Sequence, residues 1–512
     1  MKGRLHDLLA SAVVFLVALP LCIGVAIASG VPPAMGIVSG ILGGIVVGSL
    51  AGSPLQVCGP AAGLAVIVFE IVQAHGLAAL PAVVLVCGLL QLVAGRLELG
   101  SYFRAVAPAV VQAMLAGIGV LILGSQLHVM FDATPAAGGV ENYMSFPSLL
   151  LDIVSGQRRE LLYPGAIGVS SLSVIFLWNI IRRHLPGAMG LIPAPLLAVL
   201  LGTVIAQLNG WSVTRVTVPT GVEALVTLPS SQTLVRLLEP GVLLSAVALF
   251  LIASAEGLLC AAAVDRLHDG PASDLDKELV AQGAGNIAAG LLGGLPVTGV
   301  IVRSTANIDA GGRTRLSAIL HGVWLTSAVL VVPQIMEYIP VASLAAVLVA
   351  IGWKLIDVDV MRHLHARDRG EFAVYALTLT AITLTSLLNG LVVGIVISML
   401  RLAWTASHLE ILIDEGPNRI DLDMLGAATF VRVPELTQAL EKLPAKRHIR
   451  VHFEHLRYVD HAVLELLGDW EEDYQRDGGQ VSIEWHELRR RATPVATQRL
   501  TGTLTASSRI QR

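Results

Sequence analysis

The side chains able to do chemistry are few, and they lie in apolar surroundings. Arg303 stands in GGLPVTGVIVRSTANIDAGG (293–312), directly after Val300, Ile301 and Val302. Glu256 stands in VALFLIASAEGLLCAAAVDRL, among Ile252, Ala253, Leu258 and Leu259. A charge at membrane depth is costly unless it is used, so each is a functional candidate. An arginine there can balance a bound anion. A carboxylate there needs a partner or a proton. That makes Arg303 the candidate partner of Glu256, with proton carriage as the alternative role. The plain alternative is a Glu–Arg pair that only joins two helices. The four cysteines, Cys22, Cys58, Cys87 and Cys260, sit in apolar runs and read as packing. No metal spacing, nucleophile–base pair or phosphate loop is found, so no metal, no cofactor and no enzymatic reaction is expected.

Positioning Arg303 falls to a short helix. Between Val297 and the Asp309–Gly312 break the chain offers about a dozen helix-compatible residues, against the ~20 of a full span. A short helix after a Gly/Pro break reads as a half-helix that begins inside the membrane. Its first N–H groups lack intrahelical partners and can face an anion. The same punctuation occurs earlier: Gly48, Gly52 and Pro54 recur 242 residues later as Gly290, Gly294 and Pro296. In the first copy CGPAAGLAVIVF (58–69) takes the place of the half-helix. Paired interruptions in two halves of a membrane chain point to an inverted-repeat transporter with a midplane site. Close helix packing on glycine is the plainer alternative.

Composition supports a polytopic helical membrane protein. Of 512 residues 54% are apolar and 14% charged, where a soluble domain carries about a quarter charged. Apolar runs divide into about fourteen spans or part-spans, with half-helices as the third (59–74) and tenth (297–309). With both termini cytoplasmic, fourteen Lys and Arg fall in inner loops and the N-terminus against four in outer loops, as the positive-inside rule requires. The N-terminal run lacks a small-residue cleavage site and reads as a retained first span. In that span Pro20 frees a carbonyl and Gly24 leaves a gap. Glu70 reads as interfacial, and His128 and Asn286 as packing groups. The outer segments 131–163 and 210–238 carry no assignable pattern. The net charge of −4 gives no sign of nucleic acid.

After Arg401 the pattern changes. RIDLDMLGAATFVRV alternates like a strand, PELTQALEKL is amphipathic, HIRVHFEHLRYV reads as a strand, AVLELLGDWEEDYQRDG as a helix and QVSIEW as a strand. This alternation indicates a small α/β domain over 416–490 behind a transmembrane domain over 1–408. Residues 491–512, rich in Thr, Ser, Ala and Arg, read as a disordered tail.

ALPLCIGVAIASGVPP, SPLQVCGPAAGLAV and ELVAQGAGNIAAGLLGGLPVTGVIVRSTANIDAGG together resemble the SulP (solute carrier 26, sulfate permease) anion transporters, and the C-terminal domain resembles their STAS domain. The resemblance implies two inverted seven-span repeats, core and gate subdomains, and a homodimer in a bacterial-type inner membrane. It implies anion transport by movement of the core against the gate. Carried over by position, its substrate site comprises Leu21, Val25, Gly59, Ala61, Gly299, Val300, Val302 and Arg303, with Glu256 beside them as the proton-coupling group. Sodium-coupled bicarbonate members place oxygen ligands where this chain has Glu256, Cys260 and Ile301. Protons are therefore the expected coupling ion rather than sodium. The expected substrate is sulfate, bicarbonate or a dicarboxylate, with a sodium-coupled bicarbonate transporter or an uncoupled anion channel or exchanger as alternatives. The STAS loop reads Asp460-His461-Ala462-Val463 and has no hydroxyl to phosphorylate.

Overall fold

The computed structural model describes residues 2–492 except 104–107, 137, 185–191, 218–225, 227, 229–230, 238, 332, 407, 417–418 and 454. It divides into two compact units, 1–395 and 396–512. Among the described residues, eight helices are long and apolar enough to cross a membrane, and shorter apolar helices stand among them.

The first half of the larger unit opens with α1 (Lys2–Ala28), which runs unbroken through Pro20. Helix α2 (Pro33–Leu42) starts on a proline, whose missing N–H costs nothing in a first turn. It widens into a π-turn over Gly43–Val47 and ends at Leu50. The π-turn sets Gly43 against the Cys58 carbonyl, where a Cβ would collide. A two-residue strand β1 (Cys58–Gly59) and the short helix α3 (Ala62–His75) follow. Helices α4 (Leu80–Arg96), α5 (Pro108–Val129), α6 (Gly139–Val154), α7 (Leu162–Ile181) and α8 (Ala194–Leu208) complete this half.

The second half repeats the pattern. Helices α9 (Pro240–Val264) and α10 (Leu275–Leu292) lead to β2 (Thr298–Gly299) and to α11 (Ile301–Asp309), nine residues long. Gly293 stops α10 in the left-handed region, with φ 73°, a conformation that suits glycine. Helices α12 (Leu316–Val331), α13 (Val341–Leu355), α14 (Val358–Arg367), α15 (Arg369–Leu384) and α16 (Leu387–Ala406) follow. Both short helices end within a residue of the expected spans 59–74 and 297–309 but start three and four residues later, because the chain is still extended after β1 and β2.

Helices pack into two groups. One joins α1–α4 to α9–α12, and the other joins α5, α7 and α8 to α13 and α15. The closest seam in the first group is α4 against α10. There Gly88 and Gly95 meet the backbone at Ile287 and Val280, while Gly283 and Gly290 meet it at Leu92 and Leu85. Such small-residue faces let backbones approach where lipid gives no hydrophobic drive. Gly290 of the repeated glycine pattern thus packs helices. Gly52 does likewise, resting on the Asp274 carbonyl.

Helices α6 and α14 lie outside the expected spans. The segment 131–163 contains α6, tied down by His128 Nε2 with Ser145 Oγ at 3.1 Å and by Asn142 bonds to Ala136 and Gly138. Helix α14 is polar and starts on an Asp357 cap.

The second unit contains β3 (Leu409–Glu415), β4 (Arg419–Ala428), α17 (Val433–Glu441), β5 (His448–His452), β6 (Leu456–Val459), α18 (His461–Arg476), β7 (Gln480–Ile483) and α19 (Trp485–Ala492). Strand β4 pairs antiparallel with β3 and parallel with β5 and β6, and β5 pairs parallel with β7. Ile420, Leu422, Ile449, Val451, Leu436 and Leu467 form its apolar core. The stretch 448–459, expected as one strand, forms two, β5 and β6. Strand β3 lies ahead of the expected domain start at 416. Residues 493–512, most of the expected tail, lie outside the described residues.

Candidate functional site

Strands β1 and β2 pair antiparallel, Cys58 with Gly299 and Gly59 with Thr298. The Val300 N–H extends the ladder by donating to the Val57 carbonyl at 3.0 Å. Helices α3 and α11 leave this crossing in opposite directions, so both N-termini lie at it. The cap residues Ala61 and Val300 are extended, and neither supplies a side-chain cap. Each end therefore presents free N–H groups and a partial positive charge of about half a unit. Two such ends at one crossing favour a negative ligand.

Arg303, in the first turn of α11, is fully buried. Its Nη2 donates to the Pro60 carbonyl at 3.2 Å and approaches Cys22 Sγ at 3.4 Å. Its Nε and Nη1 have no partner among the described residues. The guanidinium rests against Gly59, where a Cβ would collide with Nη1. A guanidinium presents five donors in a planar fork suited to carboxylate-like anions. Two of its nitrogens remain open here.

Glu256 on α9 does not pair with Arg303. It forms no ion pair or hydrogen bond among the described residues, and its Oε2 is buried without a partner. Its carboxylate lies against Gly63, four residues beyond Gly59, at a point where a Cβ would collide. The candidate partnership fails for a geometric reason. Helix α9 meets α3 past the strand crossing, whereas the Arg303 side chain turns back toward α1.

Buried polar groups hold the crossing in place. Asn286 on α10 accepts from Val297 N–H at 2.6 Å and donates to the Val297 carbonyl at 2.9 Å and to Gln91 Oε1 at 2.7 Å. Thr298 Oγ1 donates to Ala253 O, and Ser304 Oγ accepts from Val57 N–H, each at 2.9 Å. Glu278 accepts from the Gly52 and Ser53 N–H groups at 3.0 and 3.1 Å and from Gln282 at 3.0 Å. Sequence reasoning treats Asn286 as packing and gives Glu278, Gly63 and Cys22 no part in the site. Only the Asn286 position, just before the Gly/Pro break, carries a readable signal.

The other expected residues distribute as follows. Leu21 and Val25 are buried on α1, beside Cys22. Ala61 and Val300 cap the half-helices, and Gly299 lies in β2 against Gln56. Val302 lines a cavity of about 580 Å³ between the two helix groups, together with Val17, Thr305, Asp309, Lys354 and Asp357. At the opposite end of the groups, beyond α3, the corresponding cavity measures about 60 Å³. Of these two cavities, the larger lies on the α11 side.

The sequence profile of the sulfate permease family matches residues 5–378. The putative sulfate transporter YvdB of Bacillus subtilis is 28% identical over 493 residues, 93% of this chain and 90% of that protein. The bicarbonate transporter BicA of Picosynechococcus sp. is 25% identical over 430 residues, 80% of this chain and 71% of its own length. Among solved structures, the transmembrane domain of a cyanobacterium bicarbonate transporter BicA matches with a TM-score of 0.62 at 24% identity, over 78% of this chain and 98% of that one. The murine Solute Carrier 26 family member A9 anion transporter in its inward-facing state matches with a TM-score of 0.76 at 16% identity, over 93% and 84%.

Proposed function

The chain belongs to the sulfate permease family, and from that premise we propose that it is a secondary active transporter of a small anion: sulfate, bicarbonate or a dicarboxylate. The family and these relatives are transporters rather than enzymes. The observation that carries the reading is Arg303, fully buried at two converging helix N-termini with Nε and Nη1 unpartnered. The anion takes those two donors together with the free N–H groups of α3 and α11. The α1–α4 and α9–α12 group acts as core and carries the anion past the other group, the gate, in an elevator movement.

Coupling runs through Glu256. An anion at Arg303 adds negative charge close to a carboxylate that has no partner, and this favours the protonated acid. Binding an anion then takes up a proton. Sodium coupling, the reading raised by the similarity to a bicarbonate transporter, needs oxygen ligands where Cys260 and Ile301 stand. Both termini lie in the cytoplasm of a bacterial-type inner membrane, which makes the α11-side cavity the inner one. The protein works as a homodimer. Its C-terminal unit acts as a STAS domain regulated by contacts, since Asp460 spends its carboxylate capping α18 and holding Phe430 N–H.

The deciding experiment is counterflow into proteoliposomes with labelled sulfate, bicarbonate and dicarboxylates, under imposed pH or sodium gradients. Saturable uptake of one anion driven by a pH gradient is expected. Flux without saturation would indicate a pore, and dependence on sodium alone would indicate the sodium-coupled reading.

A further inference from the structure

The two half-helices each carry one acid at the same position. Counted from the caps Ala61 and Val300, Glu70 and Asp309 both lie nine residues on. Glu70 Oε1 accepts the N–H of Leu387, the first residue of α16, at 3.0 Å. This bond crosses from the core group to the gate group, because α16 packs on α15 through Gly390 and Gly394 against Ile382 and Thr378. It lies at the α3 end, where Glu70, Thr385 and Ser386 line the 60 Å³ cavity. Asp309 lies at the α11 end, exposed, in the wall of the 580 Å³ cavity that Pro193, Ala194 and Pro195 also line. Those residues open α8, which has no side-chain cap. Helix α8 closes the first half of the repeat as α16 closes the second.

We propose that Glu70 and Asp309 are alternating gate latches. Glu70 holds the α3 side shut by capping α16 across the boundary. When the core moves the other way, Asp309 shuts the α11 side by accepting the Ala194 or Leu196 N–H at the start of α8. Each crossing exchanges one carboxylate–amide bond at a helix N-terminus for another of the same kind. The two end states therefore stay close in free energy, and small ligand effects can shift the population between them. The inference rests on the alternating-access reading above and adds the residues that set its equilibrium.

The test uses the full chain in proteoliposomes. All four native cysteines are buried, so Ile351→Cys in the large cavity and Ser125→Cys in the small one report access to a membrane-impermeant maleimide. Glu70→Ala is expected to lower labelling at 351 and raise it at 125, moving the ratio on the order of tenfold. Glu70→Gln keeps an acceptor oxygen and should move it less, in the same direction, which also covers an alanine variant that does not fold. Adding Asp309→Ala to Glu70→Ala should return the ratio toward the unsubstituted value. A ratio unchanged by both Glu70 variants would overturn the proposal, and so would an Asp309 substitution that leaves the Glu70→Ala ratio where it was. Labelling reads the latch independently of flux. A protein that shifts its ratio but carries no anion would overturn the transport reading instead.

Discussion

The Arg303 guanidinium occupies the space that a side chain on Gly59 would need. A methyl group there would meet Nη1 first. A glycine on one half of the repeat thus admits a buried cation supplied by the other half.

Gly59→Ala should therefore displace Arg303 without touching its charge. Anion uptake in counterflow is expected to fall more than about tenfold, the loss of one or two charge-assisted hydrogen bonds. Gly48→Ala is the control, since a Cβ there meets its nearest atoms at 3.5 Å, an ordinary contact. Equal loss in both variants would mean that the effect is general packing damage.

Arg303→Ala should weaken anion binding by roughly ten- to a hundredfold, the range for hydrogen bonds to a charged group. Arg303→Lys keeps the charge but not the fork, and should recover only part of the affinity. Binding titrations on purified protein, with size-exclusion profiles as a check on folding, separate the two effects. Wild-type affinity in the alanine variant would remove Arg303 from the site.

Uptake should rise as external pH falls, because anion binding favours the protonated Glu256. Glu256→Gln mimics that state permanently. It is expected to flatten the pH profile and to let the anion exchange without driving net uptake on a pH gradient. A profile that keeps its slope in the glutamine variant would place the proton on another group.

In the C-terminal unit, Asp421 sits between His452 Nε2 at 3.1 Å and Arg419 Nε at 2.9 Å. The hydrogen bond with His452, helped by Arg419, holds its carboxyl below the usual range. A carboxyl depressed on folding stabilises the folded state above its ordinary pKa of about 4 and loses that contribution as pH falls through the lower folded value. Protection factors for hydrogen exchange of the β4 and β5 amides in the full chain should fall across that acid window. Asp421→Asn should show a smaller dependence on pH there, and the effect will be modest because the groups are partly solvated.

Much of this architecture is legible in the chain, and the limits follow from physics. The short α3 and α11 can be read because Gly and Pro interrupt apolar runs too briefly to span. Arg303 and Glu256 can be read because charge stands out in such runs. Their separation cannot, since it depends on where α9 crosses α3. Helices α6 and α14 escape because they are polar or amphipathic, and a search for apolar length passes over them. The π-turn at Gly43–Val47 leaves no mark beyond its glycines. Asn286 looks like any buried amide until its three bonds to Val297 and Gln91 are seen.

The pairing of Cys58 with Gly299 has a consequence for biosynthesis. When the ribosome has delivered β1 and α3, the partner strand is still unmade, and α3 with 14 residues is too short to rest across the bilayer alone. The backbone groups of β1 stay unmet in hydrocarbon until β2 emerges. The first half must therefore wait, shielded by the insertion machinery or by its own helices, and the crossing closes late. A chain truncated before Thr298 should be recognised as unfinished and degraded, even though most of its long spans have already been inserted.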